Sequence, residues 1–229
     1  MRVIIKPFGL ALIVFAIVSL ALLVYRNRNV PSVASTPVTS PTVPVSVPGD
    51  AIIEGGFEND YAPVIPETKV SKAHLSGFIA GNGVWFDNSS WSSLTAEYAP
   101  DDAIFHGGTR SQRVIIGANG SGHVQLSQIR QLSVNKDYEI SAWVRASRRA
   151  KITLVLRVGE AAKLSTADMY ADTTWRKISL RVFRKPTEDT SGLTWIMLYL
   201  RELDVTYWVD DAEIKPLSNT AASPPVATR

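Results

Sequence analysis

The sequence has no cysteine. That absence excludes a disulfide-stapled scaffold, a cysteine nucleophile and any thiolate metal site. It does not exclude an extracytoplasmic location, because a chain of this length can bury a sufficient core without staples. Histidine is scarce: His74, His106 and His123 are scattered, and none falls in an HxxxH spacing for a metal. There is no GxSxG elbow and no GxxxxGK[ST] phosphate loop. The glycine-rich run Gly117-Ala118-Asn119-Gly120-Ser121-Gly122 lies between two strand candidates and reads as a hairpin loop. No pair among the 21 acids is set apart for glycoside hydrolysis. These absences predict a protein that is not an enzyme.

Acidic residues are missing from the first 49 positions, where Arg2, Lys6, Arg26 and Arg28 stand alone. The formal net charge of +3 and a pI near 9.2 therefore belong to that segment. From Asp50 onward, 20 basic residues face 21 acidic ones. So balanced a remainder argues against nucleic acid as a partner.

What is present divides the 229 residues into four parts. Phe8 to Tyr25 is an uncharged run of 18 residues. As a helix it spans about 27 Å, enough for a bilayer core. Tyr25-Arg26-Asn27-Arg28 follows at once, with no small-residue cleavage site close behind. Residues 1–28 thus read as an uncleaved membrane anchor rather than a signal peptide. Flanking charge puts the N-terminus on the cytoplasmic side. Residues 29–49 carry Pro31, Pro37, Pro41, Pro44 and Pro48 in a Val/Ser/Thr background. That composition suits an extended stalk of about 60 Å or a plain linker. Residues 218–229 read as a disordered tail. The expected topology is single-pass, with the domain at 50–217 periplasmic or extracellular.

Residues 50–217 show short alternating runs separated by turn residues. Strand candidates are Ser111–Ile116, His123–Gln128, Tyr138–Ala146, Lys151–Val158, Trp175–Phe183, Leu193–Arg201 and Thr206–Ile214. Ala161–Tyr170 offers at most a short helical turn. The expected class is all-β, a sandwich or barrel. Side chains two apart share a strand face. Tyr138, Ile140, Ala142 and Val144 form one core set; Ile152, Leu154, Leu156 and Val158 form another, and Ile196, Leu198 and Leu200 a third.

The motifs come in a telling order. Ile53-Glu54-Gly55-Gly56-Phe57-Glu58 opens the domain, followed by His106-Gly107-Gly108-Thr109-Arg110-Ser111. Tyr138-Glu139-Ile140-Ser141-Ala142-Trp143 comes next, and Asp210-Asp211-Ala212-Glu213-Ile214 closes the domain. Over residues 50–217 this resembles the carbohydrate-binding modules of families 4, 9 and 22, which share a galactose-binding-like jelly roll. The resemblance implies a jelly-roll β-sandwich and a glycan chain held on a concave sheet. It also implies a structural calcium ion held by Glu58 and Asp211, or Asp210 in place of Asp211, with carbonyls of the Gly108–Ser111 loop.

Taken as one sheet face, the outward residues bring Trp143, Trp195 and Tyr199 beside Arg145, Arg157, Arg201, Gln125 and Glu139. Aromatic rings stack on the C–H faces of pyranoses, and the polar groups match sugar hydroxyls. The same residues also fit an extended core covered by residues 60–100, or a protein-contact surface. Two functions follow. The first is a membrane-anchored module that binds polysaccharide or cell-surface glycan. The second is a structural accessory subunit of a larger membrane complex, for example respiratory or photosynthetic.

Overall fold

The computed structural model describes residues 47–65, 72–159, 163–186 and 193–217. The apolar run Phe8–Tyr25, most of the proline-rich segment and the tail lie outside them. The described residues hold thirteen strands and no helix: β1 (Val47–Pro48), β2 (Ala62–Pro63), β3 (His74–Ile79), β4 (Trp85–Asp87), β5 (Ser93–Asp101), β6 (Ser111–Ser121), β7 (Val124–Gln131), β8 (Lys136–Ala146), β9 (Ala150–Val158), β10 (Lys163–Ala171), β11 (Arg176–Arg184), β12 (Leu193–Leu200) and β13 (Val205–Leu217). A first sheet runs β1-β7-β12-β9-β10, with β4 also on β7. A second runs β11-β8-β13-β6-β5-β3-β2. The pairs are antiparallel except β1 with β7 and β3 with β5. All seven strands expected from alternation are present. The proline-rich segment contributes its last residues, since Val47–Pro48 pairs with Arg130–Gln131.

Alternation explains the core. Tyr138, Ile140 and Val144 of β8, Ile152 and Leu154 of β9, and Leu198 and Leu200 of β12 are buried between the sheets. Each such side chain contributes about 1.5–3 kcal/mol on burial. Two expectations are corrected. Residues 163–171 form a strand, not a helical turn, because Lys163–Ala171 pairs along its whole length with β9. The glycine-rich run is not all loop, since β6 continues to Ser121 and Ser93 pairs with Ser121. A bulge interrupts β13, where the register against β8 shifts between Asp210 and Glu213 and Asp211 adopts a φ of 43°. Extra residues at a bulge re-aim side chains, and this one turns Asp210 and Asp211 to different partners.

Candidate functional site

The two sheets divide the expected site. Gln125 (β7), Arg157 (β9), Trp195 and Tyr199 (β12) and Arg201 just beyond it share the outer face of the first sheet. Trp143, Arg145 and Glu139 lie on β8, in the second sheet. A single face holding all eight is therefore corrected, because β8 pairs with β11 and β13 and never with β7, β9 or β12.

Trp143 is not an open platform. The loop between β5 and β6 folds over it, and the His106 ring stacks on it at 3.9 Å and 16°. Trp175 in turn meets the His106 ring edge-on at 5.9 Å. Arg145 lies over Trp208, at 5.6 Å, and the Trp208 indole donates to Asp101 at 2.8 Å. Glu139 faces Arg181 at 3.7 Å and pairs in register with Lys215. These are covered or cross-strand contacts within the sheet.

On the first sheet the register builds rows across the strands. Phe86, Ser127, Met197, Val155 and Thr166 form a central row. Ser127, Met197 and Val155 point outward yet are at most 1% exposed, so this floor is covered. Ile129, Trp195, Arg157 and Leu164 flank it on one side, and Gln125, Tyr199, Thr153 and Asp168 on the other. Phe86 meets Trp195 edge-on at 5.6 Å. Arg157 lies 5.9 Å from the Trp195 ring, its Nε donating to the Gly159 carbonyl at 3.2 Å. Trp91, half exposed at 51%, contacts His123 at 4.9 Å, and His123 contacts Tyr199 at 4.5 Å. Arg201 sits 5.1 Å from the Tyr199 ring.

Hydrogen bonds fix the polar members. Asp87 points into the sandwich and accepts from the Tyr98 hydroxyl and from Ser89 N and Oγ. That clamps the turn carrying Asn88 and Trp91 against β7, where Ser89 Oγ accepts from Gln125 N at 2.7 Å. Asn88 Nδ2 then donates to Gln125 Oε1 at 2.9 Å. Gln125 Nε2 lies 3.2 Å from His123 Nε2, an acceptor only in the neutral ring. Burial, and secondarily the Arg201 charge, pushes the His123 pKa down to about 4. Arg201 Nε donates to Thr153 Oγ1 at 3.1 Å, Thr153 donates to Asp168 at 2.6 Å, and Lys151 pairs with Asp168 at 2.8 Å. The Lys151 and Thr153 hydrogen bonds hold the Asp168 carboxyl below its ordinary pKa. Phe86, Asn88, Trp91, His123 and Asp168 join the site without having been singled out. His123 alone left a signal, since it stands two residues before Gln125 on the same strand face.

A second constellation joins the chain's two ends. Phe57 is buried against Trp85 at 5.1 Å, and Ala212 N donates to the Gly55 carbonyl at 2.8 Å. Glu58 accepts from Thr109 N and, at 2.6 Å, from Thr109 Oγ1. The His106 ring donates from Nδ1 to Asp211 at 2.6 Å. Both carboxylates crowd the glycine loop: a Cβ on Gly108 would lie 1.8 Å from Glu58 Oε1, and one on Gly107 2.6 Å from Asp211 Oδ2. Asp210 behaves differently. It is buried, and it accepts from the amides of His106, Gly107 and Asp211. Burial pushes its pKa up, with the amides pulling against that shift.

No family model and no curated protein matches the chain. Solved structures do. One described as "CBM4 structure and function" superposes with a TM-score of 0.52 at 16% identity, covering 72% of this chain and 99% of that one. The domain has the jelly-roll fold of the carbohydrate-binding modules. Weaker likenesses are the CBM22-1 xylan-binding domain from Paenibacillus barcinonensis Xyn10C, at a TM-score of 0.43, 14% identity and coverage of 58% and 86%, and TmCBM61 in complex with beta-1,4-galactotriose, at 0.44, 14% and coverage of 58% and 88%.

Proposed function

We propose that this domain is a non-catalytic carbohydrate-binding module that holds a glycan across the outer face of its first sheet. The observation that carries the reading is the placement of Trp195 and Tyr199 on one face of β12 among hydrogen-bonded Asn88, Gln125, Thr153 and Arg201. Both rings stay half-buried with the Arg157 and Arg201 guanidinium groups over them; their open parts pack against pyranose C–H faces, and the fixed amides and hydroxyl discriminate among sugar hydroxyls. Modules of this fold bind glycans, which supports the reading without identifying the sugar. In the same reading Phe8–Tyr25 anchors the chain in a membrane, with the domain on the outer side. Tethering then raises the effective strength of weak single sites.

The test is a binding screen of the purified chain on a broad polysaccharide panel, with three variants. Trp195→Ala and Tyr199→Ala should each weaken binding by tenfold or more, that is by about 1.4 kcal/mol or more per lost ring. Trp143→Ala should bind as the parent does. A folded chain that retains no polysaccharide, or one whose binding depends on Trp143 alone, would overturn the reading.

The donor chemistry near the glycine loop fits a calcium ion. Glu58 and Asp211 bring hard carboxylate oxygens against Gly107 and Gly108, whose missing Cβ atoms let the carboxylates approach the loop backbone. Asp210 is committed to backbone amides and fits less well. Among the described residues no three His, Cys, Asp or Glu side chains gather, so main-chain carbonyls and water would complete the shell. Such an ion would supply structural cross-linking only.

A further inference from the structure

Building on the glycan reading of the same face, we propose that the ligand is an acidic polysaccharide and that Arg201 takes the carboxylate of a uronic acid unit beside the Tyr199 ring. Three observations support this.

The first is how Arg201 is held. Its side chain is exposed, while Nε is committed to Thr153 Oγ1 at 3.1 Å. Thr153 is buried and is itself fixed by Asp168. One edge of the guanidinium is therefore anchored, and among the described residues neither Nη group has a hydrogen-bond partner. Among the described residues no carboxylate lies within ion-pair distance of Arg201. Asp168 spends its oxygens on Thr153 and Lys151 instead. A planar guanidinium with its outer fork open is preorganised for two parallel hydrogen bonds to a carboxylate.

The second observation is adjacency to a ring. The guanidinium lies over the Tyr199 ring, 5.1 Å from its centroid, so a sugar packed against the open part of Tyr199 would bring its C6 substituent towards Arg201. In a hexuronate that substituent is a carboxylate. The third is the balance of charge. Among the described residues of this outer face, Lys151 and Arg201 stand against Asp168, and Asp168 is bonded to Lys151, which leaves the Arg201 charge without a paired acid there. The depressed pKa of His123, caused first by burial and then by Arg201, is consistent with a positive local potential. A neutral glycan needs no such excess, whereas a polyuronate is drawn to it.

The experiment pairs polymers that differ only at C6. β-1,4-Glucuronan and polygalacturonate are each compared with their carboxyl-reduced forms by calorimetry on the full chain, at low and raised salt. Dextran sulfate serves as a polyanion without uronates. The acidic member should bind at least tenfold more tightly than its reduced form, weaken as salt rises, and outcompete dextran sulfate. Arg201→Gln should remove the preference for the acidic form while leaving residual binding on the rings. Arg201→Lys should keep part of the salt dependence but lose most of the preference, because an ammonium lacks the planar fork. Equal binding of acidic and reduced polymers, or a preference unchanged in Arg201→Gln, overturns the uronate assignment and leaves the glycan reading standing. Equal capture of dextran sulfate also overturns it, showing a general polyanion surface. Failure of a folded chain to bind any polymer overturns both readings together. Unfolding curves of the two Arg201 variants that superpose on the parent's establish that neither loss reflects misfolding.

Discussion

His123 shows how much one side chain in this face depends on its neighbours. Its ring is wedged between Trp91 and Tyr199, its Nε2 faces the Gln125 amide, and Arg201 adds a nearby positive charge. Burial first, and that charge second, lower its pKa from 6.5 to about 4. Between those values the unfolded chain binds the proton and the folded chain does not. Stability from this group is therefore complete above about pH 6.5 and is lost progressively as pH falls towards 4. Discounted for partial solvation, the effect is on the order of 1–2 kcal/mol. The ring should titrate near pH 4 by NMR, and His123→Gln should abolish this component of the acid loss of stability. A ring that titrates near 6.5 would contradict the packing. The residue was legible as a strand position and nothing more. Its alternation with Gln125 could be read, but the rings on either side of it come from residue 91 and residue 199, far away in sequence.

At the scale of the element, the strands with strong alternation were legible and the others were not. Tyr138–Ala146 alternates apolar and polar residues, and Leu193–Leu200 is a short apolar run in which aliphatic Ile196, Leu198 and Leu200 alternate with Trp195, Met197 and Tyr199, so their existence and core sets follow from the sequence. β10 reads Lys-Leu-Ser-Thr-Ala-Asp-Met-Tyr-Ala, with no apolar face strong enough to specify a strand. It is a strand because nine consecutive residues pair in register with β9, an interaction that local sequence does not encode. β3 is similar: it holds only six residues, and its parallel partner β5 lies about twenty residues on. That pairing brings backbones unusually close at Gly77, where φ is 90° and an added Cβ would lie 1.9 Å from the Tyr98 carbonyl oxygen. Tyr98 in turn donates to buried Asp87. Gly77→Ala should therefore separate β3 from β5 and cost about 3 kcal/mol or more. Gly83 provides the control. Its φ is 91°, but nothing lies within 4 Å of an added Cβ, so Gly83→Ala should cost only about 1–2 kcal/mol of backbone strain. Urea midpoints measure both, and equal losses would show that φ alone, not the close approach, sets the cost.

The division of outward residues between two sheets belongs to the whole molecule, and no strand carries it. Alternation places Trp143 and Trp195 on solvent faces alike. Only the strand order, with β8 beside β13 and β12 between β7 and β9, sends them to opposite sides of the sandwich. The motifs at the ends of the domain were more legible, since Glu58, the His106–Thr109 loop and Asp211 do come together. Their meeting ties the opening segment to the closing strand across one loop, and that loop also covers Trp143. A cation bound there would therefore stabilise the entire fold, because global unfolding must separate its ligands. Calcium at a hundredfold excess over its dissociation constant would add about 2.7 kcal/mol. For a domain of this size that corresponds to roughly 5–10 °C in Tm. Scanning calorimetry of the chain treated with a chelator, then with calcium restored, should show a rise of that order. Glu58→Gln and Asp211→Asn should abolish the calcium-dependent rise. Asp210→Asn should lower Tm in both conditions by loosening the His106–Gly107 amides, yet keep the response to calcium. A Tm indifferent to calcium would mean that the Thr109 and His106 hydrogen bonds alone hold these carboxylates, and that the loop is closed without an ion.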